Sequence, residues 1–220
     1  MKFEAVLFDC DGVLVDSEPL TNAVLRDMLA EQGWELSAAE CMHFFVGKAV
    51  MDEVAIIEQR TGRPLTEAWM DEFRARRNQS LQEQLQAVPN IHTAVHAIHA
   101  AYAGGIACAS GADRVKVELQ LRKVGLIEYF DGRIFSGHEM PRSKPWPDVY
   151  LAAAAALQAN PSRCAVVEDT VTGVRAGVAA GATVFAYAPA TSGHVDAQTL
   201  REAGASLTFT DMDQLAALLV

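Results

Sequence analysis

Short apolar runs punctuate the chain, each followed by a polar or glycine-containing turn and then by a stretch with helical periodicity. The runs are Ala5–Phe8, Ile106–Ala109, Ala165–Val167 and Thr183–Tyr187, with weaker ones at Ile134–Phe135 and Leu207–Phe209. They are continuously apolar, as strands covered on both faces are, and their alternation with helical patterns predicts a parallel sheet in an α/β fold. From about Glu18 to Gln86 the rhythm changes. No strand pattern occurs there, and amphipathic helices are predicted, among them Thr21–Glu31 and Glu67–Leu85. This stretch reads as a helical insertion after the first strand. Pro89 marks the return to the core, where a helix over Thr93–Tyr102 precedes Gly104-Gly105 and the second strand. Residues 1–16 and 87–220 are thus assigned to an α/β core and 17–86 to an inserted helical domain. The run Ala152–Ala156 predicts a small-residue helix face able to pack closely on the sheet.

Composition narrows the choice of partners. Half of the 220 residues are hydrophobic, which a folded globular chain requires. The 28 acidic residues against 18 basic ones give a formal net charge of −10, a mean field that repels polyanions and argues against nucleic acid as a partner. A small anionic substrate then needs a local island of positive charge. Cys10, Cys41, Cys108 and Cys164 lack CxxC spacing and are expected to be reduced, buried and non-catalytic. The first residues reach a carboxylate too early for a signal peptide, and no apolar stretch is long enough to suggest a membrane span. A cytoplasmic protein with no membrane association is therefore expected. A monomer is the default expectation, with a dimer as the alternative.

In open parallel sheets ligands bind beyond the carboxyl ends of the strands, so the residues just past each run carry the chemistry. After the first come Asp9, Asp11 and Gly12, after the second Ser110 and Gly111, and after the third Glu168 and Asp169. Lys144 precedes Pro145-Trp146-Pro147, a rigid segment that leads into a helix. In extended backbone residues i and i+2 point the same way, so the carboxylates of Asp9 and Asp11 are expected to face one site. With Glu168 and Asp169 they make an oxygen-rich set suited to Mg²⁺. Ser110 offers a hydroxyl and nearby amides to a phosphate oxygen, and Lys144 a point charge. Together with a metal these groups can bring a carboxylate nucleophile against a phosphate dianion.

Asp9-Cys-Asp11-Gly12-Val-Leu-Val-Asp16-Ser17, then Ser110, then Lys144-Pro145, then Glu168-Asp169, resembles the four ordered motifs of the haloacid dehalogenase superfamily. The similarity spans nearly the whole chain. It is greatest to the branch of β-phosphoglucomutase and the sugar-phosphate phosphatases, which carry a helical cap after the first motif. Asp16-Ser17-Glu18-Pro19-Leu20 and Lys144-Pro-Trp-Pro-Asp148-Val-Tyr150 also resemble that branch. The resemblance implies a Rossmann-like core with helices on both faces and an α-helical cap over residues 17–86. It implies Asp9 as a nucleophile that becomes an aspartyl phosphate and Asp11 as the general acid and base. Mg²⁺ would be held by Asp9, the Asp11 backbone carbonyl and Asp169, with Glu168 as a direct or water-mediated partner. Gly12, Ser110, Gly111 and Lys144 would bind the phosphate of a small-molecule substrate. The cap would set specificity, with Glu18, Gly47-Lys48 and Arg76 or Arg77 as candidate contacts.

Two positions depart from the branch. A cap histidine of β-phosphoglucomutase is matched by Thr21, which favours a phosphatase over a phosphosugar mutase. Gly111 stands where many of these phosphatases have Asn after the Ser or Thr. A dehalogenase needs neither Asp11 nor a metal, and a phosphorylated receiver module is smaller and has no cap. Taken singly, Asp-x-Asp, Glu168-Asp169, Ser110-Gly111 and Lys144 each fit a solvated turn, a helix start or a surface charge. Their joint placement at strand ends carries the functional reading. His92, His96 and His99 share helical spacing, yet a solvated helix flank explains them. Trp34, Trp69 and Met70 are assigned to packing of the insertion.

Overall fold

The computed structural model describes residues 2–45, 50–190 and 195–220. Among these the chain forms two compact units, one of Met1–Asp16 and Gln86–Val220, the other of Ser17–Leu85.

The first unit is built on a six-stranded parallel sheet of β1 (Ala5–Phe8), β2 (Ile106–Ser110), β3 (Ile134–Ser136), β4 (Cys164–Glu168), β5 (Thr183–Tyr187) and β6 (Leu207–Phe209). The strand order is β3-β2-β1-β4-β5-β6, so the chain runs outward from β1 in one direction and then, through β4, in the other. Val6 is in register with Ile106 on one side and Ala165 on the other. All four residues of β1 are buried, which accounts for its flat apolar sequence; each fully buried aliphatic side chain contributes about 1.5–3 kcal/mol. The apolar runs read from the sequence all fall on these strands.

Helices α5 (Ile91–Ala101), α6 (Arg114–Lys123), α7 (Asp148–Ala156), α8 (Val171–Ala179), α9 (Ala197–Glu202) and α10 (Leu215–Leu219) belong to the same unit. The small-residue face of α7 is used as its composition predicts. Ala153 and Ala154 are fully buried in the cluster that contains Leu7, Ala107 and Ala109. Asp113 caps α6 by accepting from the Lys116 amide at 2.8 Å, and Thr170 caps α8 by accepting from the Gly173 amide at 3.1 Å. The three histidines of α5 lie on its outer flank. His92 Nε2 meets the Val124 carbonyl oxygen, and His96 and His99 pack edge-on against Tyr129.

The second unit consists of α1 (Glu18–Glu31), α2 (Ala38–Phe45), α3 (Val54–Thr61) and α4 (Glu67–Gln84) among its described residues. Its core gathers Leu25, Leu29, Trp34, Phe45, Met70 and Phe73, with Trp69 packed at the margin, so both tryptophans and Met70 serve packing. All four cysteines are buried free thiols. No described helix is long and apolar enough to cross a membrane.

Candidate active site

The reversal of strand order at β1 leaves a crevice beyond its carboxyl end, flanked by the ends of β2 and β4. Asp9 continues β1 by donating its amide to the Val167 carbonyl at 3.0 Å. The chain then turns tightly: the amides of Leu14 and Val15 donate to the Cys10 carbonyl, and that of Gly12 to Val15. Gly12 has φ +76, and a Cβ built on it would lie 2.0 Å from Asp169 Oδ2. Only glycine satisfies both the left-handed backbone and the close approach of the Asp169 carboxylate.

Asp9, Glu168 and Asp169 are buried and offer carboxylate oxygens that lie within 4.8 Å of one another. Lys144 reaches into the cluster from the segment before α7, where the Lys144–Pro145 peptide is cis. Its ammonium donates to Asp9 Oδ1 at 2.8 Å and to Glu168 Oε1 at 2.7 Å, and sits 4.9 Å from the centre of the Tyr150 ring. Tyr150 donates its hydroxyl to the same Glu168 oxygen at 2.8 Å. The other oxygen, Oε2, accepts from the Asp169 amide and from the amide and hydroxyl of Thr170. Gly173 on α8 makes room for this carboxylate, because a Cβ there would fall 1.6 Å from Glu168 Oε1. Glu168 is therefore a fixed anchor for Lys144, and charge-assisted bonds in so dry a place are strong.

The electrostatics follow from one ammonium among three carboxylates. Burial pushes the Asp9 carboxyl well above its ordinary range; Lys144 opposes this, while Glu168 and Asp169 add to it. Burial alone would lower Lys144, but the charges of Asp9 and Glu168 hold it well above the usual lysine value. Glu168 moves the other way: burial raises it, and the charge and hydrogen bond of Lys144, helped by the Thr170 amide and Tyr150, bring it below the usual carboxylate value. Fully ionised, the cluster carries two negative charges beyond what Lys144 balances. A hard divalent cation fits that oxygen donor set and that excess charge.

Asp11 is held elsewhere in the crevice. Its Oδ1 receives Lys116 Nζ at 2.8 Å and Gln120 Nε2 at 2.7 Å, both from α6. Ser110 is buried at the end of β2, where its hydroxyl oxygen accepts from the Ala112 amide at 3.1 Å. Gly111 is not sterically demanded, since a Cβ there would make only ordinary contact with Ser143 and Lys144. The structure thus brings Asp9, Lys144, Glu168 and Asp169 together and gives the Asp11 side chain to α6.

In the second unit Glu18 accepts from Asn22 Nδ2 at 3.1 Å, and Arg77 is buried, donates to Asn78 and lies over the Phe73 ring. Arg76 pairs with Glu31 and Glu72 on the surface. Gly47 and Lys48 lie outside the described residues.

The profile of the haloacid dehalogenase-like hydrolases matches residues 3–181. The chain belongs to this family. It is accordingly a hydrolytic enzyme, a phosphatase by its relatives. The haloacid dehalogenase-like chain is 30% identical over 187 residues to 6-phosphogluconate phosphatase of Escherichia coli K12, covering 84% of this chain and 83% of that one. It is 30% identical over 178 residues to hexitol phosphatase B of the same bacterium, covering 80% of this chain and 79% of that one. A haloacid dehalogenase family hydrolase of Deinococcus radiodurans R1, solved with bound phosphate and sodium, superimposes with a TM-score of 0.79 at 35% identity. That match covers 99% of this chain and 95% of the other.

Tyr150 and Thr170, which fix Glu168, and Lys116 and Gln120, which hold Asp11, had no assigned role in the sequence. Lys116 and Gln120 do carry a signal, because they border Val117 and Leu121 on the buried face of α6, where polar residues are out of place.

Proposed function

We propose that this enzyme is a Mg²⁺-dependent phosphatase that transfers the phosphoryl group of a small organic phosphate monoester to Asp9 and then to water. The observation that carries this reading is the buried Asp9 carboxylate bonded to Lys144 beside Asp169 at the strand-order reversal. Asp9, Asp169 and the Asp11 backbone carbonyl are the groups assigned to the cation, with Glu168 outside them as the anchor of Lys144. Bound there, Mg²⁺ would offset the charge of phosphate and carboxylates and so lower the cost of bringing two anions together.

A carboxylate oxygen of Asp9 attacks phosphorus as the bond to the leaving oxygen breaks, and Asp11 gives its proton to the departing alkoxide. Lys144 and the amides beyond Ser110 stabilise charge on the transferring oxygens. In the second half, water attacks the same phosphorus. Asp11 takes the water proton, the Asp9–phosphorus bond breaks, and inorganic phosphate leaves. The named relatives act on 6-phosphogluconate and on hexitol phosphates, which supports a sugar phosphate or sugar-acid phosphate as substrate. Glu18 and Arg77 are the described candidates for selecting among such substrates.

Turnover of 4-nitrophenyl phosphate is expected to require Mg²⁺ and to fall by at least about 10³-fold in Asp9→Asn, with circular dichroism unchanged. Metal-dependent turnover retained in that variant removes Asp9 as the nucleophile.

A further inference from the structure

The buried face of α6 spends a lysine and a glutamine on one oxygen atom. Lys116 and Gln120 are one turn apart, and their side chains converge on Asp11 Oδ1 at 2.8 and 2.7 Å. Gln120 is fully buried, and its orientation is fixed from both ends: its amide nitrogen donates to Asp11, and its carbonyl oxygen accepts from the Cys10 thiol at 3.4 Å. The Lys116 side chain is only 10% exposed. Withdrawing an ammonium and an amide from water is costly unless both are well paired, and here both are paired to the same carboxylate. The helix that presents them begins just beyond Ser110 and is started by the Asp113 cap, whose bond goes to the Lys116 amide.

We propose that Lys116 and Gln120 are positioning residues that set where the Asp11 carboxylate stands relative to Asp9. The proposal rests on the acid–base role given to Asp11 above. Asp11 lies within a turn whose backbone bonds fix Cys10 to Val15 but leave the direction of its side chain to other groups. Two donors from a rigid helix supply that direction. A general acid and base works only within hydrogen-bond reach of the proton it moves, and a displacement near 1 Å can cost about 10²-fold in rate.

Lys116→Met and Gln120→Leu are compared with Lys116→Arg, using an alkyl phosphate and 4-nitrophenyl phosphate at saturating Mg²⁺. The nitrophenolate leaving group needs no proton, whereas an alkoxide does. The expected result for Lys116→Met is a fall of about 10²-fold in kcat on the alkyl phosphate with KM within about threefold. With 4-nitrophenyl phosphate, a burst of nitrophenolate and a phosphorylated protein should appear after acid quench, by intact-protein mass spectrometry, because only the water step is slowed. Lys116→Arg should recover much of the rate. In an Asp11→Asn background, Lys116→Met should cause no further loss, as a residue acting only through Asp11 must.

Should Lys116→Met fail to fold by circular dichroism, Gln120→Leu carries the same comparison. Variants that turn over both substrates at the wild-type rate, or a Lys116→Met loss of equal factor with and without Asp11, overturn the proposal. A contact that merely tied the turn to α6 would give that second pattern, with a lowered melting temperature. The reading of Asp9 fails separately, if Asp9→Asn still turns over.

Discussion

Asp9 stands between opposing demands. Burial and its two carboxylate neighbours favour the neutral form, while Lys144 favours the charged one, and the balance raises its affinity for a proton. A carboxyl whose folded value lies above its unfolded value is favoured at low pH. Its contribution to stability is lost as pH rises from the unfolded carboxylate value through the raised folded one. Asparagine copies the neutral form at every pH. In the metal-free protein, Asp9→Asn is therefore expected to melt higher than wild type at neutral pH. Scanning calorimetry in the presence of a chelator should show that advantage shrinking toward pH 4. A variant that melts lower throughout would mean that the lost bond to Lys144 outweighs the relief of charge.

Among the elements, α6 is the one whose start matters most to the crevice, because its first turn holds both the Asp113 cap and Lys116. Removal of an N-cap side chain costs about 0.5–2 kcal/mol. Asp113→Ala is expected to lower the unfolding free energy by that amount, read as a lower urea midpoint at unchanged slope, and Asp113→Asn to restore most of it. The strands were legible because a sheet covered on both faces leaves flat apolar runs such as Ala5–Phe8 and Thr183–Tyr187 in the sequence. The ligand crevice was legible because the runs of β1, β2 and β4 give way to polar residues, Asp9, Ser110 and Glu168. What could not be read is how those polar residues pair. Asp9 and Asp11 share a direction in ideal extended backbone, but the turn at Gly12 breaks that geometry and α6 claims Asp11. Glu168 and Asp169 are adjacent acids in the sequence, yet one anchors Lys144, 24 residues away, and is itself held by Tyr150, while the other lies against Gly12.

At the scale of the whole molecule, a net charge of −10 surrounds a cluster that is itself anionic. A divalent cation should therefore lower the proton affinity that burial and the neighbouring carboxylates give Asp9, so that a proton held there is released on binding. Calorimetric titration with Mg²⁺ in two buffers of different ionisation enthalpy is expected to show net proton release that grows as pH falls. Apparent affinity should strengthen as pH rises. Identical heats in the two buffers would show that Asp9 is already ionised without metal.

Helix α8 meets the sheet through two bare positions: Gly173 under the Glu168 carboxylate, and Gly177, where a Cβ would come within 2.8 Å of Val184 Cγ2 and 3.2 Å of Val166 Cγ1. Engineers seeking heat tolerance commonly exchange helical glycines for alanine, an exchange that elsewhere yields about 0.4–1 kcal/mol. On α8 that recipe is expected to backfire. Gly177→Ala should lower thermal stability by about 1–3 kcal/mol through overpacking, and Gly173→Ala should in addition abolish catalysis by evicting the acid that steadies Lys144. Hardening this enzyme has to begin away from α8.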